Sequence, residues 1–180
     1  MVQSVNLSKF QQRVLNSANR VLKRDGAVGP IELLIDMSLI SSTSFGHWKH
    51  GNPQYQVLEE QFQCGDEKLQ RTFRIFREWA ETEDLEAVTI DYQGASRSGP
   101  QKLQVLAKDD PTYEKFLLTR YQRSDLTPAR KKQIQKKLSK APDLVVFVMA
   151  SETAKCSECD EQIEQGELLY REEDQPLCMT

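Results

Sequence analysis

Three cysteines constrain this chain more than any other feature. Cys156-Ser157-Glu158-Cys159 is a CxxC, and Cys178 follows after a spacer of 18 residues. Two residues between two cysteines let both thiolates reach one ion from a single tight turn. The spacer falls in the ~15–20 range usual for paired zinc knuckles. Within it, Glu167 to Arg171 read as a short strand after Gly166, so a hairpin would carry the chain back to the ion. The sequence therefore predicts a structural Zn2+ site with Cys156, Cys159 and Cys178 as metal ligands. Two other readings stand beside it: a redox CxxC, and unliganded thiols. The redox motif normally sits where a strand meets a helix N-terminus, whereas this one follows a polar linker. Cys178 is followed by two residues, so the pattern C-x2-C-x18-C-x2 stops one short of a second CxxC. We expect the fourth ligand to lie beyond Thr180, which would leave the site incomplete within these residues. Cys64, alone in a Gln-rich turn, is expected to be a bystander.

Composition bounds the rest. With 180 residues, 38% of them apolar, the chain can bury a core of ordinary size. Its 24 Lys and Arg against 27 Asp and Glu exclude a globally polybasic nucleic-acid binder but not a local basic face. The longest apolar run, Leu144 to Ala150, is far short of the ~20 residues needed to span a bilayer. The N-terminal stretch MVQSVNLSKFQQRVL has no apolar core of a secretory signal. We therefore expect a cytoplasmic protein with reduced thiols and no membrane partner.

Apolar periodicity predicts an α+β fold in three regions. Residues 1–84 form a helical region, 85–150 a small sheet (a hairpin plus a central strand) with helices, and 151–180 the zinc-knuckle hairpin. Phe10, Val14, Ala18, Val21 and Leu22 mark a helix over 8–24 with Ser8 as N-cap. Ile31 to Ile40 is dense enough in apolar residues for a buried second helix. A short third helix runs from Thr43 to His50 and closes at Gly51. Leu69, Thr72, Phe73, Phe76 and Ala80 mark a helix over 66–83, with Glu67–Arg71 and Arg77–Glu81 as i,i+4 pairs on its outer face. Val88, Ile90 and Tyr92 alternate as a strand, with Leu103 to Ala107 as its partner. Pro111 opens a helix reaching Tyr121, and Thr127-Pro128 caps another that ends near 139. The unbroken apolar run Leu144 to Met149 suits a central strand.

Two features suggest a nucleic-acid partner. Residues 31–51 can be read as a helix-turn-helix, with Ser42, Thr43, Ser44, His47 and Lys49 facing a major groove. Leu39 stands where the turn glycine belongs and Ser38 where a core aliphatic does; packing of a helical domain is the simpler reading. From Arg120 to Lys140 the chain carries eight basic residues, including Arg123 and Lys131, against Asp125. Arg130, Lys132, Lys136, Lys137 and Lys140 would present cations from one helix to nucleic acid or an acidic partner, or would simply solvate a face. A protein partner is nearly as well supported, and oligomeric state is not encoded in any visible pattern.

No Walker A, G-x-S-x-G, H-E-x-x-H or G-x-G-x-x-G motif is present, so no catalytic residue is named. An enzyme with its site in a downstream domain, or in the middle α+β region, is the rival reading.

Several short blocks resemble a family of uncharacterised bacterial proteins carried as a domain of unknown function. These are Gly29-Pro30-Ile31-Glu32, Trp48-Lys49-His50-Gly51, Phe73 to Phe76 with Trp79-Ala80, Pro142-Asp143-Leu144-Val145-Val146, and the Cys156/Cys159/Cys178 knuckle. The resemblance implies a second knuckle that is complete and followed by a further C-terminal domain. It implies no activity.

Overall fold

The computed structural model describes residues 7–94, 101–140, 146–149, 153–172 and 175–178. Its first helix, α1 (Lys9–Asp25), begins at a capping box: the Ser8 hydroxyl accepts from the Gln11 amide while the Gln11 side chain accepts from the Ser8 amide. Gly26 closes it in the left-handed region, at φ 80°. The buried residues Val14, Ala18 and Val21 face α4 (Asp66–Thr82), which returns Leu69, Phe73, Phe76, Trp79 and Ala80. On the outer face of α4, Arg71 and Arg77 do not simply project as ion-pair partners. Their guanidinium groups lie over the rings of Phe10 and Phe116, 4.9 and 3.8 Å from the centroids.

Between these long helices lie two short ones, α2 (Pro30–Asp36) and α3 (Ser42–Lys49). The predicted second helix stops well before Ile40. Ser38 takes a left-handed φ of 58°, and Leu39 and Ile40 leave helical geometry to pair with residues 62–63. A buried run of aliphatics can be helix or bridge, and density of apolar residues does not distinguish the two. Trp48 on α3 is fully buried, and its indole N–H donates to the Gln104 carbonyl at 2.9 Å. Phe45 and Tyr92 pack against it.

A three-stranded antiparallel sheet joins distant parts of the chain. Its strands are β1 (Ala27–Val28), β2 (Leu85–Thr89) and β5 (Thr119–Arg123), with β5 in the middle. Two expectations are corrected here. Tyr121 belongs to β5, because α5 (Pro111–Leu117) ends before it; Thr119 and Tyr121 are strand formers that happened to continue the helical spacing. The partner of the strand at 85–89 is β5, not Leu103 to Ala107. Among the described residues a short ribbon, β3 (Gln93–Gly94) with β4 (Gln101–Lys102), pairs those neighbouring segments, and the Leu103 amide extends it by donating to the Tyr92 carbonyl at 3.1 Å. One hydrophobic core runs from Val14 to Leu118, so the first two predicted regions share it. Then α6 (Pro128–Ser139) follows, capped by Thr127, with Ile134 turned inward.

The remaining chain builds a separate, smaller cluster. Strands β6 (Val146–Val148), β9 (Leu168–Glu172) and β10 (Gln175–Leu177) form a sheet with β9 central, while β7 (Thr153–Lys155) and β8 (Gln162–Glu164) form a ribbon. The apolar run around 146–149 is thus an edge strand. Leu144 and Val145 lie outside the described residues, and Val148 is 62% exposed. The centre of this sheet goes to β9, which pairs with β6 on one side and β10 on the other; among the described residues β6 has one neighbour. The chain is α+β, with helices dominating the N-terminal half and short antiparallel sheets the rest.

Candidate metal centre

The knuckle is made by strand ends and backbone bonds. β7 delivers Cys156 into a turn where the Cys156 amide donates to the Glu161 carbonyl at 2.8 Å, and the Asp160 amide donates back to the Cys156 carbonyl at 3.0 Å. Asp160 accepts the left-handed conformation, φ 57°, that so tight a reversal needs. The Ser157 amide donates to the Pro176 carbonyl at 3.0 Å, tying this turn to β10. Cys178 stands immediately after β10 and so arrives beside the CxxC.

All three Sγ atoms lie within 4.8 Å of one another, and Cys159 and Cys178 approach to 3.5 Å. A tetrahedral zinc with Zn–S near 2.3 Å would hold its sulfurs roughly 3.8 Å apart. The donor set therefore fits a thiophilic divalent ion by both chemistry and spacing. Among the described residues this is the one group of three or more potential ligands gathered in this way.

Backbone amides prepare the sulfurs. Those of Cys178, Cys159 and Glu158 point at the Cys156 thiol and bring its pKa down to about 6. The Glu161 amide pulls Cys159 in the same direction, but the neighbouring sulfurs of Cys156 and Cys178 outweigh it and push that thiol up to about 11. The opposed shifts are what closely spaced thiols produce when a second negative charge must join the first. A divalent cation reverses that penalty. Cys156 and Cys178 are buried among Met149, Ile163, Leu169 and Leu177; Cys159 is exposed, with Glu161 Oε2 at 4.0 Å from its sulfur.

The other nominated residues are placed as follows. Cys64 packs beside the main core, where burial raises its pKa, and is not one of the three clustered thiols. His47 is exposed and stacks on Tyr55 at 4.8 Å, while Nδ1 of His50 lies 2.8 Å from the Gly46 carbonyl. Lys49 reaches inward: its ammonium donates to the carbonyls of Gln93 and Lys140 at 3.1 and 3.2 Å and lies over the Tyr92 ring. Ser42 and Thr43 are exposed beside His47, and Ser44 is half-buried.

On α6, Arg130, Lys132, Lys136 and Lys140 are exposed, and Arg130 donates to Gln133. The Lys137 side chain lies outside the described residues. The basic stretch is weaker than its composition suggests. Arg120 is buried against Glu32, Arg123 pairs with Asp125, and Lys131 pairs with Glu86.

No protein-family model, curated protein or solved structure matches the chain. No helix among the described residues is long and apolar enough to cross a membrane.

Sequence reasoning missed one polar constellation. Glu32 on α2 accepts from both Arg120 on β5 and the Tyr92 hydroxyl, the latter at 2.7 Å, and Arg120 also lies over the Tyr92 ring. Burial lowers the pKa of Arg120 and Glu32 opposes that shift. The only local signal was Gly29: a Cβ there would come 1.9 Å from Nη1 of Arg120, so the chain needs glycine for the guanidinium to pass.

Proposed function

We propose that this chain is a non-catalytic binding protein whose C-terminal strands are clasped by a structural zinc ion held by Cys156, Cys159 and Cys178. The observation that carries this reading is the convergence of three sulfurs, from one turn and one strand end, at zinc-like separations. The size of the local core supports it further. Among the described residues six buried ones form that cluster, two of them the ligand cysteines Cys156 and Cys178, and small cores of this kind are commonly held by a metal. Bound zinc would supply cross-linking free energy, not reactivity: a knuckle of cysteine ligands, two of them buried, fits a structural role. The test is elemental analysis of the purified full chain. The reading expects about one zinc per chain, lost in Cys156→Ser and Cys178→Ser. Iron in place of zinc, or metal content unchanged by both substitutions, would refute it.

Nucleic acid is the partner we favour, on one specific observation. Lys132 and Lys136 stand exposed one turn apart on α6, with no ion pair to either among the described residues, and Lys140 is exposed just past the helix end. The expectation is salt-sensitive retention of DNA or RNA. Lys132→Glu combined with Lys136→Glu should reduce the slope of log K against log salt by roughly 1 to 2. Retention that ignores salt, or a slope unchanged by the pair, would turn the reading toward a protein partner.

A further inference from the structure

The three thiols are not equivalent, and their differences define a site of modification. Cys156 is fully buried and Cys178 is 8% exposed, whereas Cys159 faces solvent at the tip of the knuckle. The exposed sulfur lies 3.5 Å from that of Cys178, on the opposite strand end. Access, not acidity, selects the sulfur: an oxidant arriving from solvent meets Cys159 first, because the more acidic Cys156 is fully buried, and a second sulfur already stands beside the atom it would modify. We propose that Cys159 is a site of oxidation by peroxides, that Cys178 resolves it as a disulfide, and that this step opens the metal clasp.

The chemistry balances with hydrogen peroxide as the oxidant. The Cys159 sulfur attacks one peroxide oxygen, the O–O bond breaks, and the second oxygen leaves as water; Cys159 is now a sulfenic acid. The Cys178 sulfur then attacks Cys159 Sγ, the S–S bond forms, and the sulfenic oxygen leaves as a second water. Two electrons pass from the two sulfurs to the peroxide. The two protons required come from the thiols themselves in the metal-free chain and from solvent when both sulfurs are metal-bound thiolates. A disulfide withdraws two of three thiolates, and Cys156 alone is too weak a ligand set to retain the ion. The disulfide still links the CxxC turn to the end of β10, so the covalent tie replaces the metal tie at the same place in the fold. Release of metal rests on the zinc reading above; formation of the disulfide does not.

The experiment treats zinc-loaded and metal-free full-length chain with hydrogen peroxide. Freed zinc is followed with a chromogenic chelator, and disulfides are located by peptide mapping under non-reducing conditions. The expected result is a Cys159–Cys178 linkage as the dominant product in both samples and in Cys156→Ser, with zinc freed in step with its formation. In Cys178→Ser, a sulfenic-acid probe should label Cys159. A dominant disulfide that includes Cys156 or Cys64, or first labelling of any cysteine other than Cys159, would overturn the proposal. If the chain takes up no zinc, the clasp reading fails, and the mapped linkage in the metal-free sample still decides the modification site.

Discussion

The guanidinium of Arg120 lies buried against the carboxylate of Glu32, 88 positions earlier in the chain. This pair joins α2 to the central strand of the N-terminal sheet, and the Tyr92 hydroxyl shares the same carboxylate oxygen. Removing one partner of a buried pair leaves the other charge unsolvated. Glu32→Ala should therefore destabilise the fold by about 3–5 kcal/mol. Glu32→Gln, which keeps an acceptor for Tyr92, should cost less. Urea unfolding checks both, and equal, small effects for the two substitutions would contradict the role assigned to the charge.

Gly29 makes room for that pair. An added Cβ would approach Nη1 of Arg120 at 1.9 Å and the Thr119 carbonyl at 2.8 Å, and the second of these is backbone. Gly29→Ala should destabilise by about 1–3 kcal/mol, despite the usual gain from replacing glycine. A thermal melt at or above the parent value would show that β5 yields more easily than its central position implies.

Asp36 gives the N-terminal core an acid-side pH dependence. Its carboxylate accepts from Arg20, with Nε at 3.1 Å, and this bond holds its pKa below the ordinary value of 3.8. A lowered carboxylate pKa contributes stability that is fully present above the unfolded value. That contribution is lost as pH falls through the lower, folded value. Because the Arg20 side chain is 57% exposed, solvent screening keeps this contribution small. Asp36→Asn should remove this part of the acid-side slope and leave the slope above pH ~5 unchanged. Chemical denaturation at a series of pH values measures the difference.

The elements legible in the sequence are those whose determinants are local. Ser8 and Gln11 cap α1, Thr127 and Pro128 open α6, and the stripe from Leu69 to Ala80 marks α4; each signal lies within the element it specifies. The knuckle was legible for the same reason, since cysteine spacing encodes how close two sulfurs can come. What was not legible depends on partners far away. Leu117 and Tyr121 have helical spacing, and only pairing with β1 and β2 makes 119–123 a strand. An apolar run such as 146–149 reads as central until β9 takes that place. Arg120 counts as a surface cation in any local window, because Glu32 is nowhere near it in sequence.

Cobalt substitution tests the central claim most directly. Cobalt(II) added to the reduced, metal-free full-length chain reports both geometry and ligand type through its absorption spectrum. The account predicts saturation at about one cobalt per chain, with the intense d–d bands of a tetrahedral site and a sulfur-to-metal charge-transfer band. Zinc should displace the cobalt, as the affinity order of these ions requires. Cys156→Ser, Cys159→Ser and Cys178→Ser should each weaken the charge-transfer band. The weak spectrum of six-coordinate aqueous cobalt in the parent chain, or a thiolate spectrum that survives all three substitutions, would contradict it.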